Sequence, residues 1–167
     1  NAQPPLGVKE FAQMGAGRII AMSRHKSRQD LALEFGATDI VSERGEAGIA
    51  RVREMTGGVG ADSVLECVGM EEAMDQALNI CRPGGSIGYV GVPHGVTFDG
   101  QKLFFHQKNL MGGPAPVRRF LPELMELVLS RKINPGKVFD LELPLADVAE
   151  GYRAMDERRA IKTRLRL

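Results

Sequence analysis

The apolar positions of this chain fall into short blocks whose spacing changes from one block to the next. Arg18-Ile19-Ile20-Ala21-Met22-Ser23 is a compact apolar run that predicts a buried strand. Ser27-Arg28-Gln29-Asp30 reads as a capping box, with Ser27 as N-cap and Asp30 closing it. The helix behind it is expected to bury Leu31, Ala32 and Phe35 and to stop at Gly36. Asp39-Ile40-Val41 predicts a second strand. Residues 46–56 predict a weaker amphipathic helix around Ile49, Val52 and Met55, ended by Gly57-Gly58. A third strand is expected from Asp62 to Gly69. From Glu71 to Arg82, the residues Met74, Ala77, Leu78 and Cys81 share one helix face, and Pro83-Gly84-Gly85 is expected to break that helix. Ser86 to Val92 predicts a fourth strand and Asn109 to Gly113 a fifth. Residues 93–108 between them read as loop, with Phe104-Phe105 as a local anchor.

Val117, Phe120, Leu121, Leu124, Met125 and Val128 carry the strongest helical periodicity in the chain. Val138 to Leu143 alternates like a half-buried strand. Leu145 to Asp156 predicts a helix facing inward with Leu145, Val148, Ala149 and Tyr152, and Thr163 to Leu167 a last strand with Leu165 and Leu167 on one side. Alternation of strand and helix with short Gly-bearing turns implies parallel strands joined by crossovers. The fold class is therefore α/β, a doubly wound parallel sheet, whose ligands lie beyond the carboxyl ends of the strands.

Composition narrows the function classes. The 167 residues suit one ordinary domain, and 43% hydrophobic with 26% charged residues is a soluble, globular balance. Lys plus Arg is 22 against 21 acidic residues, which excludes a global polyanion binder. Arg158, Arg159, Lys162, Arg164 and Arg166 near the end are not interleaved with aromatics and read as surface charge, so no nucleic-acid partner is expected. No membrane span or signal segment is visible. Cys67 and Cys81 form neither a disulfide framework nor a zinc spacing, in keeping with a reducing, cytoplasmic location. His25, His94 and His106 have no second ligand at metal spacing, and no G-x-S-x-G elbow marks a hydrolase.

Gly15-Ala16-Gly17 and Gly58-Val59-Gly60 stand before strands, the wrong context for a phosphate cradle, and read as turns. The segment Ser23-Arg24-His25-Lys26-Ser27-Arg28 is more informative. In dinucleotide-binding sheets the acceptor for the adenosine ribose sits after this strand and is an acid for NAD. Here no acid occurs before Asp30, and Arg24 could grip a 2′-phosphate with help from the Ser23 hydroxyl and a helix N-terminus. A solvated basic turn is the plain alternative, but the position after a buried strand favours the phosphate. Cys67-Val68-Gly69 and Val90-Gly91-Val92-Pro93-His94 end at the same edge, where glycine would let a cofactor approach the main chain, or simply make a βα turn.

Several of these segments, in order, resemble the cofactor domain of the zinc-dependent, medium-chain alcohol dehydrogenase family. They are Gly15 to His25, Glu34 to Val41, Thr56 to Asp62, Glu66-Cys67-Val68-Gly69, Arg82 to Gly85 leading into Tyr89-Val90-Gly91, Gly151 to Asp156 and Ile161-Lys162-Thr163. The resemblance covers about residues 6–167 and implies a Rossmann-like domain. It implies that Ser23, Arg24, His25 and Arg28 recognise the ribose phosphate of NADP in preference to NAD. Val68 and Gly69 would line the adenosine and ribose pocket, and Val90, Gly91 and Val92 the nicotinamide end. Gly112 and Gly113 would pass beside the nicotinamide, and Lys162 would reach the cofactor phosphates. It also implies pairing of subunits into a homo-oligomer through the outer strand near residues 104–113.

The family's N-terminal zinc domain, its glycine fingerprint and the first strand of the cofactor domain have no counterpart in these residues, and Leu6 to Gly15 reads as the tail of the helix after that fingerprint. The chain is accordingly expected to be one incomplete domain, 1–167, that lacks a central strand and is oligomeric, strand-swapped or rearranged. The expected parent enzyme exchanges a hydride between a small alcohol or carbonyl and a nicotinamide dinucleotide, with zinc only in the other domain and no catalytic or metal residue in this chain, which alone would be inactive. The alternatives are a zinc-free quinone-reductase-like oxidoreductase and a non-enzymatic, truncated nucleotide-binding or assembly module.

Overall fold

A computed structural model describes residues 12 and 14–167. The expected helix tail at Leu6 to Gly15 therefore lies outside the described residues except at Ala12, Met14 and Gly15, where the Gly15 amide donates to the Ala12 carbonyl across a turn.

Two short apolar strands start the first layer. β1 (Ile20–Met22) and β2 (Asp39–Val41) run parallel, with Met22 opposite Val41. Arg18 locks their entrance with a fork on Asp39 (Nε to Oδ2 2.8 Å, Nη2 to Oδ1 2.9 Å), and the Thr38 hydroxyl donates to the same carboxyl at 2.7 Å. Helix α1 (Lys26–Glu34) makes the crossover and buries Leu31 and Ala32 with Phe35 against Ile19 and Ala21. Its start differs from the expected capping box. The helix begins at Lys26 with His25 as N-cap and no side-chain cap. The Ser23 hydroxyl instead accepts from the His25 amide at 3.2 Å, and Asp30 pairs with Lys26 across one helical turn. The Ser23 hydroxyl thus closes the turn before the helix and leaves the first helical amides without a side-chain cap.

The second sheet holds β3 (Ala61–Glu66), β4 (Cys81–Tyr89) and β5 (Asn109–Gly112), all parallel in the order β3-β4-β5. Helices α2 (Gly45–Met55) and α3 (Glu71–Ile80) cover it, burying Ile49, Val52, Met74, Ala77 and Leu78 against Val41, Val64 and Ile87. Ile20 and Met22 pack on the same cluster, so the two sheets share one core. Pro83-Gly84-Gly85 does not separate helix from strand as expected. β4 starts directly after α3, and Arg82 to Gly85 bulge out opposite Asp62, between the pairs Ala61–Cys81 and Ser63–Ser86. A bulge tolerates proline and glycine where a regular strand would not.

Residues 93–108 are not all loop. Asp99 accepts from the Gln101 and Lys102 amides and caps helix α4 (Gly100–Phe105). Phe104 and Phe105 are not an anchor: they stack edge to face on each other and stay 76% and 75% exposed. Helix α5 (Val117–Leu129) forms as expected but buries no residue.

The tail makes a separate parallel pair. β6 (Phe139–Pro144) and β7 (Lys162–Arg166) flank a short 3-10 turn at Leu145–Asp147 and helix α6 (Val148–Asp156). The expected inward face of this helix is wrong. Tyr152 is 70% exposed and Leu145 is exposed, whereas Gly151 and Ala154 are buried, because Gly151 lies against Thr163. Leu167 is likewise exposed. Val138 and Ile161 pack with Ile19, Leu31 and Phe35, and Lys137 pairs with Glu34, so the tail closes onto α1. These parallel-strand sheets with flanking helices form the expected Rossmann-like α/β arrangement. Among the described residues β1 and β3 each have a strand partner on one side only.

Candidate cofactor site

The expected site residues gather at the carboxyl ends of the strands in two places. In the first, Ser23, Arg24, His25 and Arg28 form one turn and the first coil of α1. The turn is tied to the sheet because the Ser23 amide donates to the Val41 carbonyl at 3.1 Å, while the Gln29 side-chain Nε2 donates to the Ser23 carbonyl at 2.6 Å. Arg24 is exposed, but Arg28 is buried to 9%. Its guanidinium makes no hydrogen bond or ion pair among the described residues. The Nε2 of His25 is buried and has no hydrogen-bond partner among the described residues. Burial lowers the pKa of His25, and the positive charges of Arg158, Arg28, Arg24 and Arg44 lower it further. Burial also lowers that of Arg28, followed by the charges of Arg158 and Arg44, with Asp140 opposing them. The turn is an excess of positive charge around a buried imidazole nitrogen, a form suited to an anion.

In the second place, the ends of β3 and β4 interlock. The carboxyl of Glu66, only 3% exposed, accepts from the Val68 amide at 2.6 Å and from the Gly69 amide at 3.0 and 3.1 Å. The Val90 amide donates to the Glu66 carbonyl at 2.9 Å, and the His94 amide to the Gly69 carbonyl at 3.1 Å. A Cβ on Gly69, whose φ is +80°, would overlap the Val92 carbonyl, and one on Gly91 would overlap the Gly69 amide and the Glu66 carboxyl. These glycines therefore let two main-chain turns touch, leaving Val68, Val90 and Val92 exposed at the rim. Gly112 continues the row on β5, where the Tyr89 ring lies against it, and Gly113 follows.

Lys162 is not brought to either cluster by a side-chain bond among the described residues. It stands on β7, where Asp140 accepts its backbone amide at 3.2 Å. A concavity of about 480 Å³ between α3 and α4, lined by Glu71, Asp75, Asp99, Lys102 and Lys108 among others, contains none of the expected site residues. Three residues outside the expectation join the two clusters: Arg44, Arg158 and Glu66. An acid directly after Val64-Leu65, near the end of the expected strand, was the visible signal for Glu66. Arg158 carried no signal of its own within a tail rich in basic residues.

Among the described residues no group of three or more His, Cys, Asp or Glu is placed to hold a metal, so these residues do not fit a zinc site. No helix among them is long and apolar enough to cross a membrane.

The model of a family described as zinc-binding dehydrogenase matches residues 8–130. A Mycobacterium tuberculosis protein described as "Probable zinc-binding alcohol dehydrogenase" is 38% identical over 140 residues, covering 83% of this chain and 35% of its own length. An NADP-dependent isopropanol dehydrogenase of Entamoeba histolytica is 29% identical over 143 residues, covering 80% of this chain and 39% of its own. Among solved structures, an alcohol dehydrogenase from Thermus sp. ATN1 superposes with a TM-score of 0.86 at 31% identity, over 97% of this chain and 49% of that one. The chain thus spans about a third to a half of the length of these relatives. With the matched residues carrying both strand-end clusters, the chain belongs to the zinc-binding dehydrogenase family, over that family's C-terminal domain.

Proposed function

We propose that this chain is the cofactor-binding part of a cytoplasmic, NADP-preferring alcohol dehydrogenase that moves a hydride between a small alcohol or carbonyl and the nicotinamide. The carrying observation is the turn after β1, which offers Arg24, the buried and unpartnered His25 Nε2 and the buried Arg28 where an NAD site would offer an acid. The NADP dependence in the name of the Entamoeba relative supports this reading. When bound, the nicotinamide accepts or returns the hydride. The chain's own residues bind and orient the cofactor: Ser23, Arg24, His25 and Arg28 hold the ribose phosphate. Val68 and Gly69 take the adenosine and ribose. Val90, Gly91 and Val92, with Gly112 and Gly113 alongside, face the nicotinamide, and Lys162 serves the other phosphates.

Glu66 fixes the turn that carries Val68 and Gly69. The groups that act on the substrate oxygen lie in the rest of the enzyme, so this chain alone oxidises no alcohol. Subunits pair through the segment 104–113, where Phe104 and Phe105 on α4 and Met111 on β5 are exposed. Calorimetric titration with NADPH and NADH tests the cofactor reading. Tighter binding of NADPH is expected, and Arg24→Ala should weaken NADPH alone by ~1.5–3 kcal/mol, the worth of a charge-assisted hydrogen bond. Equal affinity for the two cofactors would overturn the preference.

A further inference from the structure

The family match ends at residue 130, and the turn between α6 and β7 lies beyond it. Arg158 in that turn has φ +61°, a left-handed conformation that favours glycine. Its surroundings hold it there: the Arg158 amide donates to the Met155 carbonyl at 3.2 Å and the Arg159 amide to the Ala154 carbonyl at 2.9 Å. On the far side Ala160 is buried, Asp140 accepts the Ile161 amide at 2.8 Å, and Ile161 packs into the core of β1 and α1. The turn is thereby seated beside the basic turn after β1. Among the charges that act on His25 and on Arg28, that of Arg158 is the strongest for both.

Arg44 arrives by a different route. It is the N-cap of α2, three residues past Val41, and Val41 pairs with Met22 just before the basic turn. Arg24, His25, Arg28, Arg44 and Arg158 therefore converge from three segments far apart in sequence. The one acid acting on Arg28, Asp140, already accepts from two backbone amides. Like charges gathered around a buried imidazole nitrogen, unpartnered among the described residues, and around the little-exposed Arg28 are unfavourable unless an anion neutralises them.

We propose that Arg158 and Arg44 complete a site for a phosphomonoester dianion with Arg24, His25 and Arg28, and that Arg158 is a residue determining specificity for the cofactor's 2′-phosphate. The inference rests on the cofactor reading above and goes beyond it by placing a specificity determinant in the tail.

Titration with adenosine 2′,5′-bisphosphate and adenosine 5′-monophosphate separates the two claims. The unaltered protein should bind the bisphosphate at least about tenfold tighter. Arg158→Gly suits φ +61°, so its thermal midpoint should stay or rise while the bisphosphate's advantage falls by about tenfold and the monophosphate's affinity is unchanged. Arg158→Lys, which keeps the charge and loses the fork, should fall between. An undiminished bisphosphate preference in Arg158→Gly overturns the role of Arg158 and leaves the NADP reading standing. Equal losses for both nucleotides show a merely structural effect and overturn it too. Equal or absent binding by the unaltered protein overturns the NADP reading and this inference with it.

Discussion

Two titratable side chains face opposite kinds of neighbour, and each leaves a mark on the acid stability of the protein. His25 is pushed below its usual 6.5 by burial first and then by Arg158, Arg28, Arg24 and Arg44. Its folded form favours the neutral ring, so unfolding takes up a proton, and stability falls as pH drops below 6.5. Asp39 is held down from 3.8 to about 2, chiefly by its hydrogen bonds from Arg18 and Thr38. That contribution is complete above 3.8 and is lost as pH falls towards 2. Denaturant midpoints measured against pH should thus decline in two steps. His25→Gln should flatten the upper step and Arg18→Gln the lower one. The basic turn itself was legible in the sequence because all its residues are local. Arg44 and Arg158 were not, since only parallel strand pairing and the packing of Ile161 bring them to it.

At the scale of elements, periodicity located the helices that pay into the core and misjudged those set by a single contact. α2 and α3 carry regular apolar faces and were readable almost to their ends. α4 is started by the Asp99 cap alone, with no buried residue to mark a face, and read as loop. Pro83-Gly84-Gly85 looked like an end because a regular strand rejects proline, yet a bulge opposite Asp62 accommodates it. α6 was turned the wrong way because small Gly151 and Ala154, rather than Tyr152, make the close contact with the tail strands. Met74 is the plainest test of α3 as a core element, being among the largest fully buried side chains. Met74→Ala should cost about 2–5 kcal/mol by chemical denaturation, from lost burial and the cavity left behind.

For the whole molecule, a run of exposed apolar side chains falls between residues 104 and 125. Phe104 and Phe105 on α4, Met111 on β5, and Phe120, Leu121 and Met125 on α5 are all open to solvent. Apolar exposure on this scale is unusual for a lone chain and fits the subunit pairing proposed through the segment 104–113. Replacing Phe104 and Phe105 together with Ser should shift the species seen by light scattering towards the monomer, with the thermal midpoint little changed because neither ring is buried. An unchanged mass would remove these rings from the interface.

The docking of the tail onto α1 also imposes an order on synthesis. Lys137 meets Glu34 across 103 residues, and Ile161 packs with Ile19, Leu31 and Phe35. A ribosome delivers the first strands and helices long before the tail, and domains begin to fold as they emerge. On the proposed arrangement, the growing chain has its basic turn before its preference between the two dinucleotides is complete. Full discrimination is then among the last properties it acquires, and a nascent chain stalled before residue 158 would favour NADPH less strongly than the finished one.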